Sequence, residues 1–334
     1  MKANRALHAL LQRSGGILFI FAALVAVAPA LHSQNQTERA LTVIEVPLYI
    51  APDANSQKLA TVERGREVAI IEASRGEWLH VFANVEGGPL AVDENVPQGR
   101  NVTGWVREKG IVRTSTANGD RIVFGEAADS EAEASRRRGR RGAAQDAMRL
   151  YGRMAEYFPN SPLAGEAAWR SADIRWQIER EDVFSRPSAR ERDPGMRDKI
   201  NEDYLKRVEK KFPHTKWADL AAFDLIDNKL CGDWGGSSKC PEKEADIYTK
   251  YADEHPQSPK AAEALYQAAF RRSALIEIYK SEGQPSKSEQ ARKEALATAQ
   301  RVTSQSADSD WAARAANLAF KINQNIPTYG NAAE

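Results

Sequence analysis

The sequence predicts two modules in succession, a small all-β barrel and then an all-α stack of helical hairpins, behind an N-terminal export segment. Three observations predict it. Basic residues at the start lead into a short apolar stretch. Between about Leu41 and Thr114 the chain is a series of short β-branched and aromatic runs separated by turns. In the second half a junction of proline, a hydroxyl residue and spaced alanines occurs three times, with a worn fourth copy from Ala307-Asp308-Ser309 that lacks the proline. The formal net charge is +1, from 47 basic and 46 acidic residues, so the whole molecule has no electrostatic case for nucleic acid. Two cysteines exclude a disulfide-built scaffold and a zinc cluster.

Residues 1–30 read as a signal peptide. Lys2, Arg5 and Arg13 form a basic region, and the apolar core from Ile17 to Val27 is short for a membrane span. Ala28-Pro29-Ala30 places small residues where a signal peptidase needs them, so cleavage is expected after Ala30. The other reading is an uncleaved N-terminal anchor. No cysteine lies near the site, which disfavours a lipoprotein. Export to the periplasm is the expectation, with no membrane span left after cleavage.

Residues 41–114 form the predicted β module. Thr42-Val43-Ile44-Glu45-Val46, Glu67-Val68-Ala69-Ile70-Ile71 and Trp78-Leu79-His80-Val81-Phe82 are the strand runs. Pro52-Asp53, Arg64-Gly65 and Arg75-Gly76 mark turns. The order Leu48-Tyr49, Ala51-Pro52-Asp53, Arg64-Gly65, Glu77-Trp78-Leu79-His80-Val81 and Thr103-Gly104-Trp105-Val106 resembles a bacterial SH3-type (SH3b) domain. A polar insertion from Glu86 to Arg100 replaces the short turn usual in that family. The resemblance implies a module that binds peptidoglycan or a wall peptide. Tyr49, Asp53, Trp78 and Trp105 are then the candidate ligand groove, because aromatic rings give contact area at low entropy cost. Trp78 and Trp105 also suit the small core, and both readings stand.

Residues 115–142 read as a charged flexible linker, with Gly119, Gly125 and small residues arguing against a packed element. Glu126, Asp129, Glu131 and Glu133 precede Arg136-Arg137-Arg138-Gly139-Arg140-Arg141. The basic run is either an anion-binding tether, for lipid head groups or wall polymers, or a solvated stretch partly neutralised by the acids before it.

Residues 143–327 carry the repeat, and residues 328–334 form a tail. Pro159-Asn160-Ser161-Pro162, Pro213-His214-Thr215 and Pro256-Gln257-Ser258-Pro259 each end one helix and begin another. Ser161, Thr215 and Ser258 suit the N-cap, and Pro162 and Pro259 the first helical position. Alanines follow three apart, Ala164 with Ala167, Ala218 with Ala221, Ala261 with Ala264, and Ala312 with Ala315. That spacing puts each pair on one face, where a neighbouring helix can approach. Trp169, Phe223 and Tyr266 add bulk two residues later. Junctions recur about 54, 43 and 51 residues apart.

The Ala147, Tyr151, Pro159 spacing and the junctions resemble the tetratricopeptide (TPR) repeat, whose period is about 34 residues. They are similar to envelope TPR proteins of the outer-membrane assembly lipoprotein and Tol–Pal coordinator type. The predicted fold is thus a small all-β SH3-like barrel plus an all-α TPR-like helical-hairpin stack. In such stacks the first helix of each pair lines a concave face, so Arg170, Asp173, Arg175, Arg271, Arg272 and Tyr279 are candidate partner-facing residues. Phe184 to Arg197 is expected to be mobile. Cys231 and Cys240 bracket a Gly/Ser loop and fit one disulfide in an oxidising compartment, with two free thiols or a redox pair as the other readings.

No catalytic constellation, metal site or cofactor motif is found. His8, His32, His80, His214 and His255 form no ligand or base spacing, and no Walker-type loop or Gly-x-Ser-x-Gly occurs. The expected function is a non-enzymatic exported adaptor or scaffold. Its partners are envelope proteins, with peptidoglycan or a wall peptide at the β module and no nucleic acid. The alternatives are an accessory subunit of a peptidoglycan hydrolase or of an outer-membrane assembly complex.

Overall fold

The protein is described by a computed structural model that covers residues 38–85 and 99–329. The expected signal peptide, nearly all of the insertion after Glu86 and the last residues of the tail lie outside the described residues. Among the described residues no helix is long and apolar enough to cross a membrane.

The β module holds β1 (Glu38–Thr42), β2 (Val46–Tyr49), β3 (Lys58–Val62), β4 (Glu67–Arg75), β5 (Trp78–Val85), β6 (Arg100–Arg107) and β7 (Ile111–Arg113). They form one antiparallel sheet in the order β3-β2-β6-β5-β4-β1-β7. Its edge strands β3 and β7 do not pair, so the sheet is open where a closed barrel was expected. Strand alternation decides its faces. Along β5, Leu79, Val81, Ala83 and Val85 are buried and join Val46, Leu48, Val62, Val68 and Val106 in one apolar core. Trp78, His80, Phe82 and Asn84 point to the other face. Gly104 on β6 is required by close approach, since a Cβ there would lie 2.6 Å from the Tyr49 carbonyl oxygen of β2.

Nine helices follow among the described residues: α1 (Gly119–Ala134), α2 (Ala143–Tyr157), α3 (Ala164–Ser185), α4 (Asp203–Lys211), α5 (Lys216–Asp224), α6 (Lys239–Glu254), α7 (Ala261–Ser281), α8 (Pro285–Gln305) and α9 (Asp310–Asn323). Most helices pack on the next in sequence, and α3 also packs on α5.

The expected flexible linker is instead α1. Its Val123 and Ala127, one turn apart, are fully buried with Leu41 of β1, Val112 of β7, and Ala147, Leu150, Tyr151 and Met154 of α2. A narrow stripe suffices because small residues let α2 come close. The sheet and the first helices thereby share a core, and the described residues fall in one compact unit.

The junctions divide into two kinds. Where no proline follows the hydroxyl residue, the cap is immediate: Thr215 accepts from the Ala218 N–H at 3.4 Å, and Ser309 from the Ala312 N–H at 3.1 Å. In the Ser-Pro copies the helix begins later, at Ala164 and Ala261. Ser161 and Ser258 therefore are not N-caps, and Pro162 and Pro259 are not at the first helical position. Each serine instead closes a turn, accepting from Leu163 N–H at 3.2 Å and from Lys260 N–H at 3.1 Å.

One contact repeats along the stack. The aromatic residue of each copy meets the residue just before the first alanine of the next. Trp169 stacks on Trp217 at 5.6 Å, Phe223 lies under the Lys260 ammonium at 5.1 Å, and Tyr266 meets Trp311 at 5.3 Å. Gly165 lets the first of these close, because a Cβ there would sit 2.7 Å from the Trp217 ring.

The segment from Phe184 to Arg197, expected to be mobile, is tied down. It contains a short 3-10 helix at Pro187–Arg190. Glu191 O accepts from Gly232 N–H at 2.9 Å, and the Arg197 guanidinium donates to Leu230 O. The first contact reaches into the loop closed by the Cys231–Cys240 disulfide, and the second the residue just before it. Arg186 pairs with Asp182 and Asp198.

Candidate functional site

Two surfaces bring candidate residues together. The first is the sheet face opposite the β core. Tyr49 lies directly across from Trp105, and the Tyr49 and Trp78 rings meet edge to face at 5.7 Å. His80 stacks on Trp105 at 4.7 Å, and the Arg107 guanidinium lies 5.3 Å from the Trp78 ring centre. Three of the four predicted groove residues are therefore neighbours. Trp78 and Trp105 are only 7% and 8% exposed, although neither belongs to the apolar core. Tyr49 is half-buried and is the more accessible ring. Asp53 stands apart in the turn after β2, where its carboxylate accepts from Asn55 N–H at 2.9 Å. His80 and Arg107 were missed by the sequence reading. Period-two alternation from Trp78 and from Trp105 would have found them.

The second surface is a groove of about 330 Å³ between α6, α7 and α8. Its floor comes from α7, where Arg272, Leu275 and Tyr279 recur at helical spacing. Glu242, Ala245 and Asp246 of α6 form one wall, and Lys287, Gln290, Ala291 and Glu294 of α8 the other. Leu275, Ala245 and Ala291 are buried and make the base apolar. The polar atoms are arranged above it. The Tyr279 hydroxyl donates to Glu242, and Lys287 lies over the Tyr279 ring at 5.3 Å. Arg272 donates to Thr298 Oγ1 at 2.6 Å and sits 3.7 Å from Glu294. Asp246 is exposed at the rim. An apolar base with fixed polar edges suits a side chain or short segment of another molecule.

Of the six expected partner-facing residues, only Arg272 and Tyr279 line this groove. Arg175 and Arg271 are buried, which corrects their expected exposure. Arg175 lies over the Tyr204 ring at 3.9 Å. Arg271 donates to Glu244 at 2.7 Å, and Glu244 is itself 1% exposed. Arg170 is held by Glu131 at 2.7 Å and Glu166 at 2.8 Å. Asp173 accepts from Gln177 at 3.1 Å, and burial raises its carboxyl above the usual range. Arg170, Arg175 and Arg271 thus brace one helix against another, because facing carboxylates and rings replace the water they would need.

A further acid, Asp224 on α5, accepts from Trp169 Nε1 at 3.4 Å. Burial, with the Asp173 carboxylate adding to it, pushes its carboxyl up to about 8. Among the described residues no group of three or more His, Cys, Asp or Glu is placed to hold a metal ion.

No family model matches the chain, and no curated protein matches it. Among the solved structures it is similar to are the DHF58, DHF119 and DHF79 filaments. The first shares 15% identity over 61% of this chain and 91% of its own, with a TM-score of 0.23. The second shares 16% over 61% and 92%, with a TM-score of 0.23. The third shares 16% over 60% and 95%, with a TM-score of 0.21. Superposition this poor carries no argument about fold or function.

Proposed function

We propose that this chain is a non-enzymatic exported adaptor of the cell envelope. Its β module acts as an SH3-like unit that binds cell wall or a wall peptide, and its TPR-like helices bind a protein partner. The observation that carries the reading is the groove between α6, α7 and α8, with Leu275 at its base and Asp246 on its rim. That chemistry suits an apolar side chain followed by a basic one. The aromatic face around Tyr49 supports the second contact.

Selection of displayed random peptides on the full chain tests the groove. Enriched peptides should pair an apolar residue with Lys or Arg. Asp246→Lys should weaken them by about tenfold, because it puts a like charge at the rim opposite the basic residue. Peptides without that pattern, or peptides that bind Asp246→Lys equally well, would remove the groove from the account.

A further inference from the structure

The turn between α1 and α2 carries five arginines in six positions, and it is a braced turn. Glu133, at the end of α1, pairs with Arg136 at 2.6 Å and accepts from Arg140 N–H at 3.0 Å. Gly139 packs so closely that a Cβ there would meet the Glu133 carbonyl oxygen at 1.9 Å. Asp146, at the start of α2 and 5% exposed, takes Arg140 on one side and Arg149 on the other. Arg149 also donates to Arg64 O at 3.2 Å, which ties the turn to the β module.

Two of the five arginines are thus used to shape the turn. Arg137, Arg138 and Arg141 are exposed and pair with no carboxylate among the described residues. Three of the acids of α1, Glu126, Glu131 and Glu133, are engaged with other partners. Glu126 pairs with Arg64 at 3.0 Å, and Glu131 serves Tyr151 and Arg170. Three like charges on one turn repel one another, and the contacts of Glu133 and Asp146 hold the backbone that carries them. All are arginine, whose planar fork matches the oxygens of a phosphate better than an ammonium does.

We propose that this turn is an electrostatic docking knob for the phosphate head groups of an anionic phospholipid membrane. Arg137, Arg138 and Arg141 are all exposed on one turn, so a flat anionic surface can reach them. Each basic residue near an anionic bilayer adds about 1 kcal/mol, or roughly fivefold in partitioning, so three give on the order of a hundredfold.

Co-sedimentation of the chain from Leu31 onward with vesicles tests this, since Lys2, Arg5 and Arg13 of the expected signal would add their own charge. One set is neutral phosphatidylcholine, and the other contains about a third phosphatidylglycerol. The readout is the ratio of partitioning between the two, so that apolar contributions cancel. The ratio should be on the order of a hundred at low salt and should collapse at high salt. Arg137→Gln/Arg138→Gln/Arg141→Gln should bring it close to one. Lys58→Gln/Lys243→Gln/Lys293→Gln removes the same charge from exposed sites elsewhere and should leave most of it. Equal loss in both variants would reduce the effect to net charge and overturn the proposal. So would a ratio near one for the unaltered chain, including a chain that binds an anionic wall polymer but not the vesicles.

Discussion

Glu244 shows how a single buried charge organises its surroundings. Its two carboxylate oxygens accept from Arg271 Nε at 2.7 Å, Cys231 N–H at 2.8 Å and Trp234 Nε1 at 3.3 Å. It therefore joins α6, α7 and the disulfide loop at one point. Glu244→Ala would leave the Arg271 guanidinium buried with its main partner gone, a change that costs about 3–5 kcal/mol. Chemical denaturation of the folded variant should show that loss. A loss under about 1 kcal/mol would mean that water or Tyr248 replaces the carboxylate. Asp224 gives a prediction in pH. Its folded carboxyl holds a proton up to about 8, whereas the unfolded group releases it near 3.8. The folded chain binds the extra proton in that window, so this residue makes stability fall as pH rises from about 4 to about 8. Asp224→Asn should match the unaltered protein near pH 4 and exceed it at pH 8.5 by on the order of 1 kcal/mol, after discounting for its partial exposure. An unchanged pH slope in denaturation would contradict the burial of this acid.

The junctions were legible because their physics is local. A proline stops a helix, a hydroxyl satisfies a free N–H, and small residues three apart mark a packed face. The exact starts of α3 and α7 were not legible, since Ser-Pro adds a turn before the helix that Thr215 and Ser309 do not need. Helix α1 was misread for a different reason. Its buried stripe is Val123, Ala127 and Ser130, with too little bulk to stand out beside the glycines and acids. Yet that stripe joins the sheet to the helices. Val123→Asp places a carboxylate against Leu41 and Val112 with no partner, and it should cost about 3 kcal/mol or more. Denaturation should show the loss in the signals of both sheet and helices. A loss confined to helical signal would contradict a shared core.

At the scale of the molecule, the chain offers two differently built surfaces on one compact unit. The aromatic face of the sheet was half legible, since Tyr49, Trp78 and Trp105 were picked out, but the sequence left open whether the two tryptophans are covered, as they are, or exposed. The groove was less legible, because it depends on three helices meeting and no single helix encodes it. Charged positions such as Arg175 and Arg271 looked like free surface for the same reason: their partners Tyr204 and Glu244 are distant in sequence. An adaptor must hold both contacts at once, and this defines the most direct measurement. The full chain is spun down with purified peptidoglycan in the presence of a labelled peptide selected on the groove. The account predicts that the label pellets only when the protein is present. Tyr49→Ala should return both protein and label to the supernatant, and Asp246→Lys should return the label alone. Label left in solution while the protein pellets, or protein that never pellets, would contradict the adaptor reading.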